Sequence, residues 1–377
     1  MPRIWFVSIA RQANPAAAPE ALYAGIGMNT GNLLFTNAVW RQIAWTESGS
    51  GFILDPDRIN AEFDAVVIPA ANWLYERFDF GDLADRIEKV RVPVVLIGIG
   101  AQAGAGMAIP VLPDGTLRLL RAVSERSALI GTRGDFSSHV LNEYGIRNHK
   151  PVGCPSLYLA HEKRPVVEKR ALRRVMVGGT RYGLPRREPT PEESLHRSLY
   201  AAAAKEDFDI NFQSERPEID LLVQWSLGTE IDAERLPPSL VSYYGFDDRE
   251  RLKRFLERHG RVYLDVDRWI GDMPAYDLYV GSRIHGAIAA LLAGTPALLV
   301  AHDSRTAELG AFAAIPQVEQ RQHESIDAGW INAMYSRLDF GPFERQMDIN
   351  FRSYVEFLNA NGLPHHLEGT MAAASQA

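Results

Sequence analysis

Cysteine is nearly absent from this chain of 377 residues, which holds one, Cys154. A single thiol excludes an internal disulfide and cannot build a thiolate metal cluster. Its neighbours Gly153 and Pro155 supply no base, so Cys154 reads as a small buried hydrophobe. Long apolar runs are missing too. The longest, around Ala287–Leu292, is limited by His285, Gly294 and Pro296, and a bilayer span needs roughly 20 residues. The N-terminal run Ile4–Ile9 is too short for a signal peptide with a cleavage site. A cytoplasmic location is expected, with peripheral membrane contact left open. Positive charge is in deficit: the formal net charge of −7 argues against a nucleic-acid binder, which needs a basic face. A local basic pocket for a small anion remains compatible with that charge. Metal-ligand spacing is also lacking. His365-His366 has no third ligand nearby, and no His-x-x-x-His or His-Glu-x-x-His pattern occurs, so no metal is expected.

What is present is ordinary globular composition, 46% hydrophobic and 23% charged, in a chain long enough for two domains. Short apolar runs alternate with helical segments, the pattern of parallel-sheet α/β domains. Strands are expected at Ile4–Ile9, Ala65–Ile68, Val92–Ile97, Ala128–Gly131 and near Val152, with helices at Asn32–Ala44, Gly81–Lys89, Leu117–Arg126 and Gly134–Tyr144. Near-continuous apolar strands imply cover on both faces. The stretch His161–Pro165 marks a boundary, and the alternation restarts at Arg174–Val177. Further strands are expected at Asp209–Phe212, Val262–Leu264, Leu278–Val280 and Ala297–Val300, and a helix at Ile284–Ala293. The expected architecture is two Rossmann-like domains, residues 1–165 and 166–325. Closing helices over 326–369 and a frayed tail, 370–377, follow them. Two open parallel sheets in tandem enclose a cleft at the carboxyl ends of their strands.

Four loops that follow strands face that cleft. In Gly281-Ser282-Arg283-Ile284-His285-Gly286 an apolar strand gives way to a helix that is apolar nearly all round. The helix head offers free amides and partial positive charge. Arg283 adds a charged fork, and Ser282 or Arg283 is the expected cap. His285 is a titratable donor there. The helix terminus disfavours imidazolium and a bound anion favours it, so ligand binding should raise the His285 pKa. The bland alternative has Arg283 paired to an acid and His285 bonded to a carbonyl. In Gly25–Leu34, glycines permit close approach while Asn29, Thr30 and Asn32 supply uncharged hydrogen bonds; the spacing fits neither a dinucleotide fingerprint nor a P-loop. In Gly131–Ser137, Arg133 either enters the cleft or pairs with Asp135 or a glutamate. In Val177–Tyr182, Gly178 and Gly179 permit close approach and Arg181 either faces the cleft or lies on the surface. Gln102 follows Ile97-Gly98-Ile99-Gly100 and is placed for a sugar, with sheet packing as the alternative for those glycines. Asp265, Asp267 and Asp272 read mainly as solvated acids.

Taken together, Gly27–Leu33, Ile97–Gln102, Thr132-Arg133, Glu143–Ile146, Gly153–Leu157, Ser282–Gly286 and Ala290–Pro296 resemble the polysaccharide pyruvyl transferase family. The resemblance implies a GT-B-like fold and transfer of pyruvate from phosphoenolpyruvate onto two hydroxyls of a sugar. The product is a ketal, phosphate is released, and no cofactor beyond the donor is implied. Arg283 and His285 would be the donor-binding and catalytic pair, flanked by Ser282 and Gly286, with Arg181 and Arg133 as further anion ligands. Asn29, Thr30, Asn32 and Gln102 would sit on the acceptor side, facing a glycan that is free or lipid-linked. The family pattern often has Asp where this chain has Asn32. Two other readings compete: a GT-B glycosyltransferase using a nucleotide sugar, with Glu308 as its ribose ligand, and a non-catalytic protein of the same fold.

Overall fold

The computed structural model of the protein describes residues 1–103, 107–160, 166–181, 184–185, 191–319 and 326–367. The expected boundary at His161–Pro165, Tyr182 and the tail Thr370–Ala377 lie outside the described residues.

The first sheet runs through β1 (Arg3–Phe6), β2 (Glu47–Ser50), β3 (Ala65–Pro69) and β4 (Val94–Ile97) in the order β2-β1-β3-β4. β5 (Ile130–Thr132) pairs with β6 (His149–Pro151), and a parallel bridge from Ile99 to Thr132 joins that pair to the end of β4. The second sheet comprises β7 (Val175–Gly178), β8 (Asp209–Phe212), β9 (Gly260–Val262), β10 (Leu278–Gly281), β11 (Ala297–Ala301) and β12 (Gln317–Glu319), ordered β12-β11-β10-β7-β8-β9. All these pairings are parallel. The architecture is that of two Rossmann-like domains with a cleft between them. β3, β4, β7, β10 and β11 are buried along their whole length, which is why they read as apolar runs; β8 is equally buried but carries Asp209 and Asn211.

Strand order reverses between β1 and β3 in the first sheet and between β7 and β10 in the second. Those reversals open a crevice at the strand ends, where ligands of such sheets bind. The loops after all four strands meet there.

Several elements differ from expectation. β2 is Glu47-Ser48-Gly49-Ser50, an edge strand that is mostly exposed; without apolar residues it leaves no hydrophobic signal. β9 begins before the expected Val262. A helix at Pro19–Gly25 lies partly within the long loop after β1, and another occupies Ser304–Phe312. The long C-terminal helix, Gly341–Ala360, does not merely close the second domain. Tyr354 donates to Gln42 Oε1 at 2.9 Å and stacks on Tyr158 at 4.7 Å. Asn361 exchanges hydrogen bonds with the Leu129 backbone, and His365 bridges Ile43. The last described residues therefore pack on the first domain.

Tyr279 is the hub of the second sheet's close packing. Cβ atoms added at Gly178 and Gly286 would lie 2.0 and 2.2 Å from its hydroxyl, and one at Gly281 would lie 2.0 Å from the Gly178 carbonyl oxygen. Because the last clash is with backbone, Gly281→Ala should destabilise the fold by about 1–3 kcal/mol, the usual cost of overpacking. Chemical denaturation with an unchanged m-value and a lowered midpoint is the expected result.

Candidate active site

Between the two sheets lies a cavity of about 870 Å³, within the usual range for small-molecule sites. Its floor is the head of the helix Ile284–Leu292, where Arg283 is the cap residue in extended conformation and no side chain caps the helix. The first hydrogen bond of the turn runs from the Gly286 N–H to the Arg283 carbonyl at 3.1 Å. The initial amides are thus left for other partners.

Arg283, His285 and Ser282 all line the cavity, as do Arg133, Asn29, Asn32 and Gln102. Arg283 is held by its own domain. It donates to the Gly179 carbonyl at 3.2 Å and to the Ser214 hydroxyl, and its guanidinium lies 3.9 Å from Glu215. Glu215 is fully buried, and burial works against its charge. Arg283, the Ser214 N–H and Arg181 outweigh that cost, so its carboxyl stays below the usual range. Arg133 reaches the cavity from the first domain. Gly100 makes room for it: a Cβ there would lie 2.7 Å from Arg133 Cδ, and Arg133 Nε donates to the Gly98 carbonyl at 3.1 Å. Its Nη2 is buried and has no hydrogen-bond partner among the described residues. Burial pushes its guanidinium below the ordinary arginine range. Even so, the group stays cationic at working pH.

His285 sits among these cations. Burial first, then Arg133 and Arg283, push its pKa from 6.5 down to about 3. The imidazole is neutral at rest. Its Nε2 lies 3.6 Å from Cys154 Sγ, and Ser156 donates to that same sulfur at 3.0 Å. Cys154 was expected to lack a nearby base; the fold brings one from a segment far along the chain.

Other expected residues play different parts. Arg181 does not line the cavity; its guanidinium is ion-paired with Glu218, both side chains buried. Burial opposes its charge, but Glu218 offsets this and raises the Arg181 pKa. It braces Glu215 instead, through a backbone N–H at 2.7 Å. Gly286 serves packing against Tyr279 rather than a ligand, and Gly178 and Gly179 likewise make room for Tyr279 and Tyr200. Thr30 is fully buried and does not line the cavity; its N–H bonds the Gln213 carbonyl at 2.9 Å across the domain interface. Ser282 bonds Thr180 at 3.2 Å and His196 Nδ1 at 3.1 Å, so it does not act as a cap. Asn29 Oδ1 accepts the Gly31 N–H, and Asn32 Nδ2 donates to the Ile26 and Gly27 carbonyls. Both border the cavity while holding their own loop. Gln102 is bonded to Asn72 at 2.6 Å. Glu308 accepts the Ser137 N–H and hydroxyl from the first domain and does not line the cavity. Among the described residues, no aspartate or glutamate lines it. Among the described residues, no group of three or more His, Cys, Asp or Glu is placed to hold a metal.

Residues not anticipated complete the walls. Gln213, His302 and Arg305 join from the second domain, with Arg305 paired to Asp303. On the first domain's side stands an aromatic wall of Phe52, Trp73, Tyr75, Phe78 and Phe80, in which Trp73 stacks on Phe80 at 4.4 Å. The aromatic density of Trp73–Phe80 after β3 was a readable signal.

Comparison with known proteins gives the family. The model of the polysaccharide pyruvyl transferase family matches residues 23–304, more than half of the chain. The chain belongs to the polysaccharide pyruvyl transferase family. No curated protein matches it. Solved structures that resemble it include a S. aureus MnaA–UDP complex, at 12% identity and TM-score 0.43, covering 92% of this chain and 91% of that one. UDP-GlcNAc 2-epimerase from Neisseria meningitidis bound to UDP-GlcNAc gives 10% identity and TM-score 0.43, covering 94% and 100%. A functionally uncharacterized Klebsiella pneumoniae protein gives 12% identity and TM-score 0.39, covering 84% and 92%. As in the rest of the family match, the segment Ser282–Gly286 falls inside the matched range.

The depressed His285 pKa has a thermodynamic consequence. Between pH 6.5 and about 3, the unfolded chain binds a proton at this histidine that the folded chain rejects. The site's contribution to stability is therefore full above pH 6.5 and declines as pH falls through that window. An anion between the two arginines raises the folded pKa and narrows it. Sulfate binding at pH 5.5 should take up a fraction of a proton, seen in calorimetry as heats that vary with buffer ionisation enthalpy. In His285→Asn that buffer dependence should vanish.

Proposed function

We propose that the protein transfers pyruvate from phosphoenolpyruvate to two hydroxyls of a sugar in a glycan, forming a ketal and releasing phosphate. The observation that carries this reading is a neutral histidine buried between two arginines at a helix head. Phosphoenolpyruvate carries a carboxylate and a phosphate, and each needs a cation. Arg283 with the amides of the Ile284–Leu292 helix head suits the leaving phosphate; Arg133, with an uncommitted Nη2, suits the carboxylate.

The chemistry balances without a redox partner. One hydroxyl oxygen bonds to the central carbon of the donor as its methylene gains a proton and becomes a methyl. The second hydroxyl oxygen bonds to the same carbon as the bond to phosphate breaks. Of the two hydroxyl protons, one replaces that taken by the methylene carbon and the other leaves with phosphate. His285 starts neutral and so takes the first proton; the bound anion raises its pKa and stabilises the imidazolium that results. No step calls for a further cofactor. The acceptor is assigned to the first domain's side, where the aromatic wall offers flat apolar faces to the C–H faces of sugar rings.

The decisive test is thermal stabilisation and phosphate release with phosphoenolpyruvate, run against UDP- and GDP-sugars. Stabilisation by a nucleotide sugar alone would sink the assignment. In the active protein, His285→Ala should lower kcat by about 10²–10⁴-fold. Arg133→Ala should weaken donor binding by about ten- to a hundredfold, the worth of a charge-assisted hydrogen bond. Trp73→Ala should raise the acceptor KM by about three- to tenfold and leave donor affinity unchanged.

A further inference from the structure

The end of β8 carries a carboxamide that the scheme above does not use. Gln213 is fully buried and lines the cavity, and neither its Nε2 nor its Oε1 has a hydrogen-bond partner among the described residues. Leaving such a group unsatisfied is costly, so its presence calls for a reason. Its backbone, by contrast, is fully engaged. The Gln213 N–H donates to Glu215 at 3.0 Å, and its carbonyl accepts the Thr30 N–H at 2.9 Å. The main chain is fixed on both sides of the domain interface while the side chain is left uncommitted.

Its surroundings identify the space it faces. A Cβ built on Gly31, at the head of α1 (Gly31–Gln42), would lie 2.9 Å from Gln213 Oε1 and 2.7 Å from His285 Nδ1. Both atoms therefore lie against the same side of Gly31, close to one another. The other imidazole nitrogen is turned to Cys154, which leaves Nδ1 as the nitrogen beside Gln213. A phosphate or carboxylate wants donors only, and the two arginines already supply them. A sugar hydroxyl wants a donor and an acceptor together, which a carboxamide presents and a cation does not.

We propose that Gln213 binds the acceptor diol, donating from Nε2 to one hydroxyl oxygen and accepting a hydroxyl proton at Oε1, so that the reacting hydroxyl is presented to His285 Nδ1. The inference rests on the pyruvyl-transfer reading and adds the residue that holds the acceptor in register.

The experiment compares the full-length wild type with Gln213→Met and Gln213→Leu. Phosphate release is followed with phosphoenolpyruvate and a panel of methyl hexopyranosides, and phosphoenolpyruvate affinity is measured separately by calorimetry. The expected result is an acceptor KM at least tenfold higher in both variants, with donor Kd within twofold of wild type. Melting temperatures should be unchanged or higher, because an unpartnered buried amide is being replaced by an apolar group. A structural glutamine would instead lower them and leave the acceptor KM alone. If the wild type releases phosphate and the variants keep its acceptor KM, or lose donor affinity instead, the inference is overturned alone. If the wild type releases no phosphate with any of the panel, the pyruvyl-transfer reading fails and takes this inference with it.

Discussion

Two buried guanidinium groups bear on one buried imidazole, and that like-charge crowding is the constraint around which the cleft is built. Arg133 comes from the first domain and Arg283 from the second, so the site exists only when both sheets are in place. Arg133 is not neutralised in the way a purely structural arginine would be. Arg181 shows the contrast: it is closed into an ion pair with Glu218, whereas Arg133 Nη2 has no hydrogen-bond partner among the described residues. Burial of positive charge is costly, and on the second domain's side Glu215 offsets that cost. That carboxylate accepts the backbone N–H groups of Arg181, Gln213 and Ser214 and is ion-paired with Arg283 at 3.9 Å.

The main chain secures the same geometry from behind. Hydrogen bonds cross the interface from Thr30 to Gln213, from Tyr23 to Ser214 at 2.7 Å, and from Ala103 to Ser304 at 2.8 Å. The C-terminal helix adds the Tyr354–Gln42 contact on the far side. Polar contacts at a domain interface are individually modest, but these tie down the loops that carry site residues. Positioning within fractions of an ångström is what acid–base chemistry at a single histidine requires.

How much of this could be read from sequence follows from the range of each interaction. Arg283, His285 and Arg133 were legible because each sits just after an apolar strand, and strand ends in parallel sheets face the crevice. Arg181 fits the same rule yet is diverted by Glu218, a partner on a later helix that no local pattern announces. Gly286 looked like a ligand glycine, but its lack of a side chain serves Tyr279, a contact set by how β10 lies against the following helix. Gln213 carries no charge and sits in no motif, so only the fold reveals that its carboxamide is buried without a partner. Cys154 beside His285 joins residues 131 positions apart. β2 was invisible for a different reason: an exposed edge strand needs no apolar residues.

The two halves of the cleft divide the chemistry by charge. The second domain supplies Arg283, His285 and the helix head, all suited to an anion; the first supplies amides and an aromatic wall, suited to an uncharged polyol, and lends one cation. This division lets an acidic chain carry a site suited to an anion: Arg133 and Arg283 both act on His285 at the seam between the domains. It also orders the events. Until an anion lies between the arginines, His285 with its pKa near 3 is too weak a base to activate a hydroxyl at neutral pH. In the proposed reaction the donor supplies the field that makes the histidine basic, so activation of the acceptor is coupled to donor occupancy by electrostatics.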